Sequence, residues 1–163
     1  MFNLFKKKEP KQSDPFLDMR TQFMGNVNFN EWPKGDSDAQ PWSLFVAARK
    51  AYSTNNHAEA EKYLRQVTET PDLEPRHYLQ AWLFLRHFLK VQPPAEIAKK
   101  VYGVMVEVGT PTGVMAVVGY TDHKARTLHS SGGGTVWERP NASMDDKVDA
   151  LINKWFDHGL AEG

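Results

Sequence analysis

The chain has 163 residues, 40% of them hydrophobic and 12% aromatic, with 20 Lys and Arg against 20 Asp and Glu and no cysteine. That length suits one domain with a substantial core. A formal charge of zero disfavours broad nucleic-acid binding, and the missing cysteine excludes disulfides, thiolate catalysis and cysteine-ligated zinc or iron–sulfur centres.

The zero is unevenly built. Residues 1–11 set Lys6, Lys7, Lys8 and Lys11 against Glu9, and residues 12–40 set Arg20 and Lys34 against Asp14, Asp18, Glu31, Asp36 and Asp38. The first stretch is net +3, the second net −3, and residues 41–163 balance at 14 of each sign. At the start, apolar Phe2, Leu4 and Phe5 precede the lysines, the reverse of a secretory signal. Residues 2–8 have the composition for weak peripheral contact with an anionic membrane, and no myristoylation glycine follows Met1, since residue 2 is Phe. No apolar run approaches the roughly 20 residues that span a bilayer. A cytoplasmic location is expected.

Residues 1–40 read as an irregular or partly disordered arm, marked by Pro10, Pro15, Gly25, Pro33 and Gly35 without a sustained period. Phe16, Leu17, Phe23, Met24, Phe29 and Trp32 are scattered through it, and docking on the chain's own body would bury them. A single α+β domain is expected over 41–163. Its helical part, 41–90, opens with Trp42, Phe45, Val46, Arg49 and Tyr52 at helical spacing, then turn formers at 53–56. Ala60, Tyr63, Leu64 and Val67 continue as a second helix, stopped at Pro71. Residues 42–74 loosely resemble one tetratricopeptide-like unit, although one unit falls short of the array such repeats need, so a plain helical hairpin is expected. A third helix over 74–90 carries Tyr78, Trp82, Leu85 and Leu89 on one stripe. After Pro93-Pro94 and a short helical turn, residues 101–138 change character. Val101–Val108, Val114–Tyr120, Ala125–Ser130 and Thr135–Glu138 read as four strands with short connections, hence an antiparallel meander. An amphipathic helix over 143–158, with Met144, Val148, Leu151, Ile152, Trp155 and Phe156 as its stripe and a capping box at Ser143 and Asp146, is expected to pack on the sheet.

Three runs carry a resemblance: Arg76–Trp82 with Phe84-Leu85-Arg86; Val101–Gly109 with Gly119–Asp122 and Ala125-Arg126; and Ser131-Gly132-Gly133 with Val136–Pro140. Together they resemble a family of bacterial cytosolic proteins to which no activity is assigned. The likeness implies a bacterial, cytosolic α+β protein and no particular chemistry. Members of that family often extend past the final helix, whereas this chain ends at Gly163.

Candidate chemistry is sparse. His77 and His87 are ten residues apart on one helix, off the i, i+3 or i, i+4 spacing of helical metal pairs. Ser130–Gly134 precedes a strand and lacks a following Lys, so it reads as a bend rather than a phosphate loop. Glu107, Asp122, His123 and His129 are the residues that would form a ligand-binding or acid–base site on the sheet. Tyr102, Tyr120 and Trp137 are the candidates for a partner-binding or homodimer surface, because aromatics are enriched at interfaces. Burial under the last helix is the competing reading of those three. No catalytic, metal or cofactor motif is present. A non-catalytic interaction or regulatory module is therefore the leading expectation, with a small-ligand-binding protein or enzyme, or an immunity-type protein that neutralises a toxin, as alternatives.

Overall fold

The computed structural model describes residues 14–159, with side chains described through Lys154. The basic head, and with it the membrane-contact reading of residues 2–8, lies outside the described residues.

The expectation of an irregular arm over residues 1–40 needs correction where the chain is described. Helix α1 spans Pro15–Phe23, started by the Asp14 side chain, which accepts the Phe16 N–H at 2.9 Å, and by Pro15 in the first turn. A 3-10 turn follows at Phe29–Glu31. The cause of order is tertiary. Phe23 is buried with Val118, Tyr120 and Leu128 of the sheet, while Phe29 and Trp32 enter the helical core beside Phe45, Leu64 and Phe84. Between them, Gln80 holds Val27 at both backbone groups, accepting its N–H at 2.9 Å and donating to its carbonyl at 2.9 Å. Gly25, at φ +57°, lies so close to the third long helix that a Cβ would sit 2.5 Å from the Arg76 carbonyl oxygen.

The helical layer forms as the spacing predicts. Helices α2 (Trp42–Ser53) and α3 (His57–Glu69) make the hairpin, with the Asn56 side chain capping α3, and α4 (Pro75–His87) packs on α3. Phe29 meets Phe84 edge-on at 4.5 Å and Tyr52 at 5.1 Å, so the arm completes this core. A single helical turn, α5 (Ala95–Ala98), leads to the sheet.

Strands β1 (Gly103–Thr110), β2 (Gly113–Tyr120), β3 (Ala125–His129) and β4 (Gly134–Trp137) pair antiparallel in chain order. The fold is thus α+β, with the expected meander. Register fixes two faces. Met105, Glu107, Ala116, Val118, Tyr120, Arg126 and Leu128 share the face covered by α1. Gly119, Ala125 and Trp137 share the other, covered by helix α6 (Asp145–Gly159). Val148 and Ile152 are buried there, and Ile152 Cγ1 comes within 3.4 Å of where a Cβ on Gly119 would be. The side chains of Trp155 and Phe156 lie outside the described residues. In place of the expected capping box, Ser143 serves the turn that leads into α6: Asn141 Oδ1 accepts from the Ser143 N–H and hydroxyl, and the Asp145 carboxylate accepts the Asn141 N–H at 2.9 Å. Ser130–Gly133 turn the chain between β3 and β4, with Gly132 and Gly133 at positive φ, a bend rather than an anion loop.

Candidate interaction groove

The structure disperses both sets of sequence candidates. Tyr102 is buried, stacked on Tyr78 at 5.6 Å, with the Lys100 ammonium 4.9 Å over its ring. Burial pushes its phenol pKa up, against a hydrogen bond with Trp82. Tyr120 is buried on the α1 face and donates its hydroxyl to the Phe23 carbonyl at 2.7 Å. Its pKa is pushed up to about 12, chiefly by burial, with Arg126 opposing. Trp137 is half-buried on the opposite face, against Ala125, Val148 and Ile152. The three aromatics therefore form no joint exposed patch; they are packing residues.

The four polar candidates do not converge either. Glu107 pairs with Arg20 of α1. Asp122 accepts the Lys124 N–H at 3.1 Å and closes the β2–β3 turn. His123, at φ +62° in that turn, pairs with Asp149 of α6, which also holds Arg139 at 2.7 Å. His129 stands at the other end of β3, between Thr110 Oγ1 at 3.0 Å and Ser131 Oγ at 2.6 Å, on the face opposite Glu107. Among the described residues, no three His, Asp or Glu side chains are placed to hold a metal.

What the fold does assemble is a cleft of about 600 Å³ between the layers. Leu79, Trp82 and Leu83 of α4 form one apolar wall and Met24 with Met105 the other, with Arg20, Arg86 and Glu107 at the rim. The volume lies within the range of ordinary ligand sites. Its charge is asymmetric. The Arg20–Glu107 pair neutralises itself, whereas Arg86 is exposed and has no ion-pair or hydrogen-bond partner among the described residues.

The cleft adjoins a sheet edge. The Tyr102 carbonyl accepts from Thr121 N at 3.1 Å, one step before the Gly103–Tyr120 pair. Antiparallel pairs alternate, so Val104, Val106, Val108 and Thr110 bond to β2, while Gly103, Met105, Glu107 and Gly109 direct their N–H and C=O groups outward. No backbone hydrogen bond from the described residues meets those outward groups. The side chains of Met105 and Glu107 are the same ones that line the cleft. Groove and open edge are therefore one surface.

Sequence reasoning missed Arg20, Leu79, Trp82, Leu83 and Arg86 as site residues. Trp82 and Arg86 stood within the first resemblance run, but their convergence with Met105 is a tertiary fact. No family model, curated protein or solved structure matches the chain. Among the described residues, no helix is long and apolar enough to cross a membrane.

Proposed function

We propose that the chain is a non-catalytic interaction module, working in the bacterial cytosol as the sequence resemblance implies, and that its partner docks in the cleft between α4 and β1. The observation that carries this reading is the cleft itself: an apolar wall of Leu79, Trp82 and Leu83 facing an edge strand and a cation, Arg86, that is unpaired among the described residues. Apolar centre and charged rim are the anatomy of a recognition surface. Support also comes from the dispersal of Glu107, Asp122, His123 and His129, each held by a separate structural partner.

The test is selection of displayed random peptides on the immobilised full chain. Enriched binders are expected to lose at least tenfold in affinity with Met24→Glu or Arg86→Glu, two cleft variants outside the buried clusters, with unchanged unfolding midpoints as the control. Binders indifferent to both substitutions would overturn the reading, as would turnover of a compound from a metabolite panel.

A further inference from the structure

We infer that the occupant of this groove is an extended protein segment that adds as a fifth strand to β1 and presents an apolar and an acidic side chain two residues apart to the cleft. The inference rests on the interaction-module reading and specifies how the partner is held.

Three observations support it. First, β1 is the less protected edge of the sheet. Natural edges are blunted by shortness, Lys or Pro. The opposite edge, β4, has only four residues and is followed by Glu138-Arg139-Pro140, whereas β1 runs for eight, contains neither Lys nor Pro, and has its one charge, Glu107, neutralised by Arg20. Second, the outward backbone groups belong to Gly103, Met105, Glu107 and Gly109. A strand hydrogen-bonded to them sets the side chains opposite Met105 and Glu107 on the same face, into the cleft. The residue opposite Met105 meets Leu79, Trp82 and Leu83, so it is apolar. Third, Arg20 neutralises Glu107, so an acidic side chain placed opposite Glu107 meets an already paired carboxylate, while Arg86, unpaired among the described residues, is the rim charge left to attract it. This chain's own first eleven residues, net +3, have the wrong sign for that place.

The probe is a capped octapeptide with a leucine and a glutamate two residues apart in a threonine background, titrated into the full chain by fluorescence anisotropy. Micromolar binding is expected, weakened at least tenfold when lysine replaces the glutamate and restored toward the lysine peptide by Arg86→Glu. Methylating the peptide nitrogens that face β1 is expected to abolish binding. In the complex, the Met105 and Glu107 amides are expected to slow in hydrogen exchange by at least tenfold. Equal binding of the methylated peptide, or no protection at those amides, overturns strand addition. Indifference to the glutamate-to-lysine change overturns the acidic preference. A chain that dimerises through β1 in sedimentation and thereby excludes the peptide overturns the proposal in favour of a second copy as occupant. Selected peptides that bind the cleft as helices, without protecting Met105 and Glu107, would sink strand addition and leave the interaction module standing.

Discussion

Glu74, at the start of α4, holds the Arg126 guanidinium of β3 at 2.7 Å and so ties the helical layer to the sheet. The same oxygen lies 2.7 Å from Arg76 Nε, without the alignment of a hydrogen bond. Burial pushes the Glu74 pKa up, but the two cations outweigh it and hold the carboxyl below its usual range. Arg126 itself is nearly enclosed, between the Phe23 and Tyr120 rings at 5.8 Å each. Replacing Glu74 by Gln leaves two enclosed cations on a neutral partner. The expected cost is about 2–4 kcal/mol, less than for a fully enclosed pair because the Glu74 side chain remains 30% exposed. Adding Arg126→Met is expected to recover part of the loss. Urea unfolding of Glu74→Gln, Arg126→Met and the double variant checks both statements, and a Glu74→Gln cost below about 0.5 kcal/mol would contradict the tie.

His77, one turn into α4, makes the fold sensitive to acid. It is buried against Trp42, whose ring centroid is 4.7 Å away, and against Trp32 and Phe45, and its Nδ1 has no partner. Burial first, and the Arg76 charge second, lower its pKa to about 4. In the unfolded chain the imidazole titrates near 6.5, so between these values the unfolded state binds a proton that the folded state refuses. Stability therefore falls as pH drops from 6.5 toward 4, by about 3 kcal/mol over the whole window. Glu74, whose carboxylate is stabilised in the fold, adds loss of the same sign at the acid end. His77→Phe is expected to flatten the slope between pH 5 and 6.5. Denaturant midpoints across that range are the measurement, and a wild-type profile flat from pH 7 to 5 would refute it.

The sheet and α2–α4 were legible because their signals are local. Val104, Val106 and Val108 mark a strand by residue type, and Phe45, Leu64 and Leu85 mark helix faces by spacing. Helix α1 was not, since Phe16, Leu17 and Phe23 form no helical stripe of their own; its one local signal was Asp14-Pro15, a cap followed by a first-turn proline. The burial of the aromatic candidates was hidden for a related reason. Nothing near Tyr120 in sequence announces that its hydroxyl will find the Phe23 carbonyl 97 residues away. Likewise Glu107, one acid in a valine strand, looked functional on its own because its partner Arg20 lies in the arm. The groove joins α1, α4 and β1, so no single stretch of sequence could display it.

Gln80 is one of several side chains that tie the arm to the body, beside Tyr120 at the Phe23 carbonyl and Arg49 at the Pro33 and Gly35 carbonyls. The Gln80 side chain is fully enclosed and spends its amide on the Val27 N–H and C=O. Gln80→Leu keeps most of the volume and leaves both backbone groups without partners. The expected cost is about 2–4 kcal/mol, one unsatisfied group at a time. Hydrogen exchange should locate the damage, with the Val27 amide losing protection while amides in β2 and β3 change only with global stability. Gly25→Ala is expected to be worse still, because a Cβ at φ +57° meets the Arg76 and Gln80 backbone rather than a flexible side chain. Retained protection at Val27 in Gln80→Leu would mean that the buried Phe23, Phe29 and Trp32, with the Tyr120 and Arg49 hydrogen bonds, hold the arm without Gln80.

A polar site on the sheet and a groove at β1 make opposite demands on His123 and His129. Both are accounted for by local structure: His123 by its hydrogen bond with Asp149, His129 by Thr110 and Ser131. All these contacts are at least partly open to solvent, where single ion pairs contribute little. The double substitution His123→Ala and His129→Ala is therefore expected to cost no more than about 1 kcal/mol in unfolding. Affinity for peptides selected on the wild-type chain should stay within twofold, because neither residue lines the cleft. Asp122→Asn, which keeps an oxygen to accept the Lys124 N–H, should be equally silent. A tenfold loss of binding in either variant, with stability unchanged, would move the recognition surface from the β1 edge to the turns at the ends of β3.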